Sequence, residues 1–160
     1  MTHAPLVYLE TSVFGFYADE LPHNRIHSDA VRTLFSQMEA GILDGTTSRV
    51  TIEELSGAPA ALRPGLMELA SAVRLCDVDD AEAARLAARY VAEGVIPGRF
   101  ASDAQHAAYA TLSRADVLVS LNLQHLANEW AMRRVNGVNL NEGYPMISIR
   151  TPEEVIRYET

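Results

Sequence analysis

With 160 residues, 48% of them hydrophobic and 21% charged, the chain is long enough to bury one core, and no apolar stretch approaches the roughly 20 residues that span a bilayer. Its formal net charge of -8 argues against a nucleic-acid binder that works by bulk charge attraction, yet carboxylates built to hold divalent cations count in that same sum. Cys76 is the sole cysteine, which excludes an internal disulfide and a multi-cysteine zinc site. The basic residues are all Arg, so any phosphate contact from a basic side chain would be an Arg contact. Met1 to Pro5 carries no cationic segment followed by an apolar core, so no secretory signal is expected and the cytoplasm is the default compartment.

Along the chain, Leu6 to Leu9 reads as a short buried strand that ends abruptly on Glu10, Thr11 and Ser12. In open α/β folds the ligand crevice lies outside the carboxyl ends of parallel strands, where Glu10 falls. The plainer alternative is that the acid and the Ser cap the following helix. Val31, Leu34, Phe35 and Met38 recur at helical spacing and predict a helix from about Ser28 to Ala40, stopped by Gly41. An extended piece from Gly45 to Ser48 leads into a helical Val50 to Leu55, with Ile52, Leu55 and Ser56 expected to face inward. Ala60 to Ala70 predicts a helix interrupted or bent near Pro64 and Gly65, and Val73 to Cys76 a strand.

Asp80 to Glu93, ended by Gly94, is an Ala-rich helix; Val95 to Phe100 is a loop, and Ser102 opens a helix to about Leu112. Val117 to Val119 is too apolar to face water and should be a central strand. A helix through Trp130 and Met132 follows Asn122 to His125. Met146 to Ile149 gives a last strand, and Thr151 to Glu154 a capping-box helix start with Pro152 at the first position. Strands alternating with helices imply crossover connections, hence one α/β domain over 1–160 with a central, mostly parallel sheet covered by helices on both faces.

Four acidic or amide positions lie at element ends that such a sheet gathers along one edge: Glu10, Glu53-Glu54, Asp103 and Asn122. Mg²⁺ or Mn²⁺ takes hard oxygen ligands from one or two carboxylates plus water and phosphate, which suits so sparse a set. Helical geometry does not decide between Glu53 and Glu54. Asp103 in a first helical turn is also favoured by the helix dipole alone. His106, one turn on, reads as a partly buried His bonding a neighbour rather than as a metal ligand. Asp116 sits at the amino end of its strand, more than about 10 Å from the carboxyl end, and is set aside. Asn122 is at the correct end, where its carbonyl oxygen can meet a cation or its amide a water.

Taken together, Val7 to Val13, Thr51 to Leu55, Ala101 to Ala107 and Asp116 to Leu126 resemble, in order and nearly end to end, the four motifs of the PIN-domain ribonucleases, in particular toxins of the VapC type. Gly143 to Pro145 and Thr151 to Val155 are similar to the C-terminus of the subgroup with Glu in the first motif. The resemblance selects Glu54 within its motif and implies a metal-dependent endoribonuclease in which Glu10 and Asp103 hold Mg²⁺ or Mn²⁺. Glu54 would orient the attacking water or accept its proton, Thr11 or Ser12 would bond a water or phosphate oxygen, and Arg99 would contact a phosphate. Two departures stand out: Glu10 replaces the commoner Asp, and Asn122 replaces an acid, which predicts a one-metal resting site with a further ion arriving with RNA. Single-stranded or looped RNA is the expected substrate. A cognate antitoxin and a homodimer, with contacts on the helices before Gly41 and after Pro59, are the expected partners, and no membrane is. The competing expectation is a catalytically weak PIN-like binding module that docks an antitoxin or RNA. A hydrolase with an aspartyl nucleophile is less attractive, because no second acid follows Glu10 two residues on.

Overall fold

A computed structural model describes residues 3–158. It contains, in chain order, β1 (Leu6–Leu9), α1 (Thr11–Tyr17), α2 (Arg25–Glu39), β2 (Asp44–Thr47), α3 (Arg49–Ser56), α4 (Arg63–Ser71), β3 (Arg74–Leu75), α5 (Asp80–Ala92), α6 (Ala101–Leu112), β4 (Val117–Val119), α7 (Glu129–Asn141), β5 (Ser148–Arg150) and α8 (Pro152–Val155). Short 3₁₀ turns at Pro22–Asn24 and Gly98–Phe100 precede α2 and α6. The strands form one sheet in the order β3-β2-β1-β4-β5, and all four pairings are parallel. The expected α/β class and the covering of both faces therefore hold.

Alternation along β1 builds the two layers. Val7 and Leu9 point into one core with Val13, Phe14, Val31, Leu34, Leu55 and Leu66, which belong to α1, α2, α3 and α4. Tyr8 points into the other with Leu86, Tyr90, Ala107, Leu118 and Val135, contributed by α5, α6, β4 and α7. Three neighbouring β1 residues, Val7, Tyr8 and Leu9, are thus fully buried, as expected for the middle strand of a sheet covered on both faces. α5 shows how local chemistry fixes an element: Asp79 caps it by accepting from the N–H groups of Ala81 and Glu82, and Gly94, at φ +71°, ends it in a left-handed conformation.

Several boundaries differ from the sequence-based expectation. Pro64 does not bend a helix; it lies in the first turn of α4, where its missing N–H would have no intrahelical partner anyway. In α3 the buried residues are Val50, Thr51 and Leu55, whereas Ser56 is exposed; Val50 packs into the core with Tyr8 and Leu55 into the core with Val7 and Leu9. Residues after Asn122 form a turn before α7, which begins after the cap Asn128 accepts from Ala131 N–H at 2.9 Å and continues to Asn141. The last strand is shifted to Ser148–Arg150, with Met146 62% exposed, and β3 shrinks to two residues at the sheet edge. β4 is interior, but the middle position belongs to β1. The capping box at Thr151 and Glu154 is present. No helix among the described residues is long and apolar enough to cross a membrane.

Candidate active site

The sheet order creates a crevice. From β1 the chain moves one way to β2 and β3, then returns across the sheet to β4 and β5 on the other side of β1. Such a reversal opens a gap at the carboxyl ends of the two strands that flank it, here β1 and β4. Register places Leu9 opposite Val119, so the residues that follow them, Glu10 and Ser120, lie together at that end.

Glu10 is buried at 6% exposure and enclosed by neutral donors. Its Oε1 accepts from the hydroxyls of Ser12 (2.6 Å) and Ser120 (2.7 Å), and its Oε2 from the N–H of Ser12 (3.0 Å). The side chain does cap α1, as the plainer reading held; the cap and the crevice position coexist. Ser12 Oγ also accepts from Leu121 N–H at 3.0 Å, which ties the start of α1 to the segment after β4. Thr11 turns the other way and donates to Glu54 Oε1 at 2.7 Å. Both hydroxyls therefore serve carboxylates of the site, whereas the sequence suggested a water or phosphate partner.

Asp103, in the first turn of α6, is buried at 9% exposure. Burial raises its carboxyl above the ordinary value, and the nearby Glu10 carboxylate raises it further. Asn122 donates from Nδ2 to Asp103 Oδ2 at 3.1 Å, while its Oδ1 accepts from His125 N–H at 3.1 Å. The amide thus turns its nitrogen to Asp103 and its carbonyl to the turn before α7. Glu54 stands on α3 with its side chain 36% exposed. Burial alone would raise its carboxyl; the contact with His106 and the hydrogen bond from Thr11 outweigh that and leave it lowered. Glu53 instead pairs with Arg49 at 2.8 Å on the outer surface, so the structure separates the two neighbours that periodicity could not.

His106 is fully buried rather than partly so. Its Nε2 lies 2.6 Å from Glu54 Oε1 and its Nδ1 2.8 Å from the hydroxyl of Tyr8, which in turn meets Ser48 Oγ at 2.6 Å. Tyr8, Ser48 and Ser120 escaped the sequence reading. Ser120 offered a signal, a hydroxyl directly after a buried strand at the same end as Glu10; Tyr8 in an apolar strand offered none. Arg99 is exposed on the turn before α6, its guanidinium 5.0 Å from the centre of the Phe100 ring, and Phe100 lies against His125 with centroids 3.9 Å apart. Asp116 is confirmed at the opposite end, where it accepts from Leu6 N–H at 2.8 Å.

Among the described residues no three His, Cys, Asp or Glu side chains converge closely enough to hold a metal by themselves. The donor chemistry nevertheless suits a hard divalent cation. Glu10 and Asp103 supply two carboxylates that repel each other, no arginine pairs with either among the described residues, and Mg²⁺ commonly takes one or two protein carboxylates with water completing its shell. When compared with protein-family models and with curated proteins, the chain matches none of them.

Proposed function

We propose that the protein is a metal-dependent endoribonuclease of the PIN-domain type, acting in the cytoplasm as the toxin of a toxin-antitoxin pair. The observation that carries the reading is the Glu10–Asp103 pair at the β1/β4 crevice, where burial and mutual repulsion raise Asp103 without a compensating arginine. Glu10 and Asp103 would hold Mg²⁺ or Mn²⁺, which when bound supplies Lewis acidity toward a phosphate and makes water more acidic. The remaining work falls to the chain's own groups. The hydroxyls of Ser12 and Ser120 fix the longer Glu10 side chain, Asn122 steadies Asp103, and Glu54 accepts the proton of the water that attacks phosphorus, while the ribose oxygen released as the P–O bond breaks takes its proton from solvent. Arg99 contacts a flanking phosphate of single-stranded RNA, the substrate form that can be drawn into a cleft.

A cognate antitoxin and a homodimer complete the proposal. Ile26 on α2 and Leu62 just before α4, 77% and 52% exposed, are the apolar residues a dimer contact would cover. Sedimentation of the wild type and of an Ile26→Asp, Leu62→Asp variant tests that contact, and co-purification with the product of a small adjacent reading frame tests the antitoxin.

The deciding experiment is cleavage of single-stranded RNA with Mg²⁺ or Mn²⁺ by the wild type, Asp103→Ala and Glu10→Gln. Divalent-dependent cleavage by the wild type alone supports the reading; equal, negligible cleavage by all three at high protein concentration sinks it. Asn122 favours a second reading, a binding module, because an amide standing where an acid is common removes one charge from the crevice. Retention of RNA or of an antitoxin without cleavage selects that alternative.

A further inference from the structure

We propose that His106 is a positioning residue for Glu54, locked by Tyr8 and Ser48 into the tautomer that presents its Nε2 proton to the Glu54 carboxylate. The proposal rests on the hydrolytic reading above and names the groups that aim its base.

The direction of the hydrogen bonds follows from which partners are available. Ser48, 1% exposed at the cap of α3, accepts from Val50 N–H at 3.3 Å and contacts Tyr8 at 2.6 Å. Its own proton is satisfied if it donates to the Tyr8 hydroxyl, the acceptor that the structure places beside it, since a buried donor without an acceptor is disfavoured. Tyr8, fully buried, then donates to His106 Nδ1 at 2.8 Å. With Nδ1 an acceptor, the ring proton belongs on Nε2, 2.6 Å from Glu54 Oε1. Burial also pushes the Tyr8 phenol well above its ordinary range, so it stays a donor at any working pH.

Glu54 Oε1 consequently receives two donors, His106 Nε2 and Thr11 Oγ1 at 2.7 Å, from α6 and α1. One carboxylate oxygen is anchored while the side chain, 36% exposed, still reaches solvent. An anchored base needs no reorientation before it takes a proton, and a ring held by its second nitrogen is the usual means of fixing a histidine donor. A wholly structural role would require only that each buried polar group find a partner; positioning predicts in addition that proton transfer fails when the aim of Glu54 is lost.

The test combines selective ¹⁵N-histidine NMR of the intact protein with steady-state RNA cleavage by wild type, His106→Ala, His106→Gln and Tyr8→Phe, each checked for native circular dichroism. In its neutral form His106 should show a protonated Nε2 and an unprotonated Nδ1, and Tyr8→Phe should admit the other tautomer. His106→Ala should lower kcat about 10- to 100-fold with little change in KM, the size usual for groups that orient catalytic ligands. His106→Gln, which keeps an N–H donor and an acceptor, should recover part of that loss. A wild type that cuts no RNA overturns the hydrolytic reading and this role with it. A cleaving wild type overturns only the present proposal if His106→Ala retains its kcat, if folded His106→Gln is no better than His106→Ala, or if Nδ1 carries the proton. Should His106→Ala fail to fold, the NMR signals and the Tyr8→Phe kcat decide alone: a protonated Nε2 with a lowered Tyr8→Phe kcat supports the role, and a Tyr8→Phe kcat equal to the wild type's overturns it.

Discussion

The two ends of the sheet treat their acids differently. At the amino end Asp116 is exposed and accepts from the N–H of Leu6, and Asp44 faces Arg74 at 3.2 Å; each charge has water or a cation beside it. At the carboxyl end Glu10 and Asp103 are buried and meet hydroxyls, a backbone N–H and an amide, all neutral donors. Neutral donors orient a carboxylate without cancelling its charge, whereas an arginine does both. Part of the second arrangement is local, since Glu10 also caps α1, but the cap does not account for the burial of Asp103 beside it. Two like charges placed together out of water are costly, and burial and the neighbouring Glu10 carboxylate both raise Asp103.

The largest expected consequence of this contrast concerns turnover. Glu10→Gln or Asp103→Asn should reduce RNA cleavage at least about a hundredfold, or about 2.7 kcal/mol of transition-state stabilisation, part of what a bound cation supplies. Asp116→Asn should stay within about twofold, as a surface change does. Comparable losses at both ends would erase the distinction. For stability the ranking reverses: Asp116→Ala should cost about 1 kcal/mol by freeing the Leu6 N–H, read as a lower urea midpoint at unchanged slope.

Asp103→Asn should instead stabilise the resting protein at neutral pH, by about 0.5–1 kcal/mol, the usual gain when a functional strain is relieved. The sign follows from linkage. Because the folded carboxyl titrates higher than the unfolded one, its ionisation costs the native state stability as pH rises through that interval. The advantage of the Asn variant should therefore shrink as pH falls through the raised value and vanish below the ordinary one. Glu54, whose folded carboxyl is lowered, should behave oppositely: Glu54→Gln is less stable than the wild type at neutral pH, and the gap closes as pH falls below the ordinary carboxylate value. Denaturation midpoints across an acid series measure both. The smallest effect is expected at Arg99, where Ala should raise KM a few-fold and lessen the salt dependence of single-strand binding by a slope of about 0.7.

Much of this arrangement was legible in the order of residues. The apolar run of β1 followed by Glu10 places an acid at a strand exit, the alternation of strands and helices makes the sheet parallel, and Asp116 could be set aside because it comes before its strand. Other parts were not legible. Glu53 and Glu54 are chemically identical neighbours, and only the approach of α1 and α6 shows which one meets Thr11 and His106 while the other meets Arg49. His106 read as partly buried because one turn of helix says nothing about the strand beneath it, where Tyr8 waits.

The sequence by itself determined the class of fold and the end of the sheet at which charge collects, because periodicity and the position of a residue within its element are local properties. Tertiary structure alone decided which acids share a desolvated crevice, which donors hold them, and how the Asn122 amide is turned. Those depend on strand order: β1 and β4 are neighbours in space although more than a hundred residues apart in the chain, and it is their register that brings Ser120 to Glu10 and sets Asn122 beside the acid on α6.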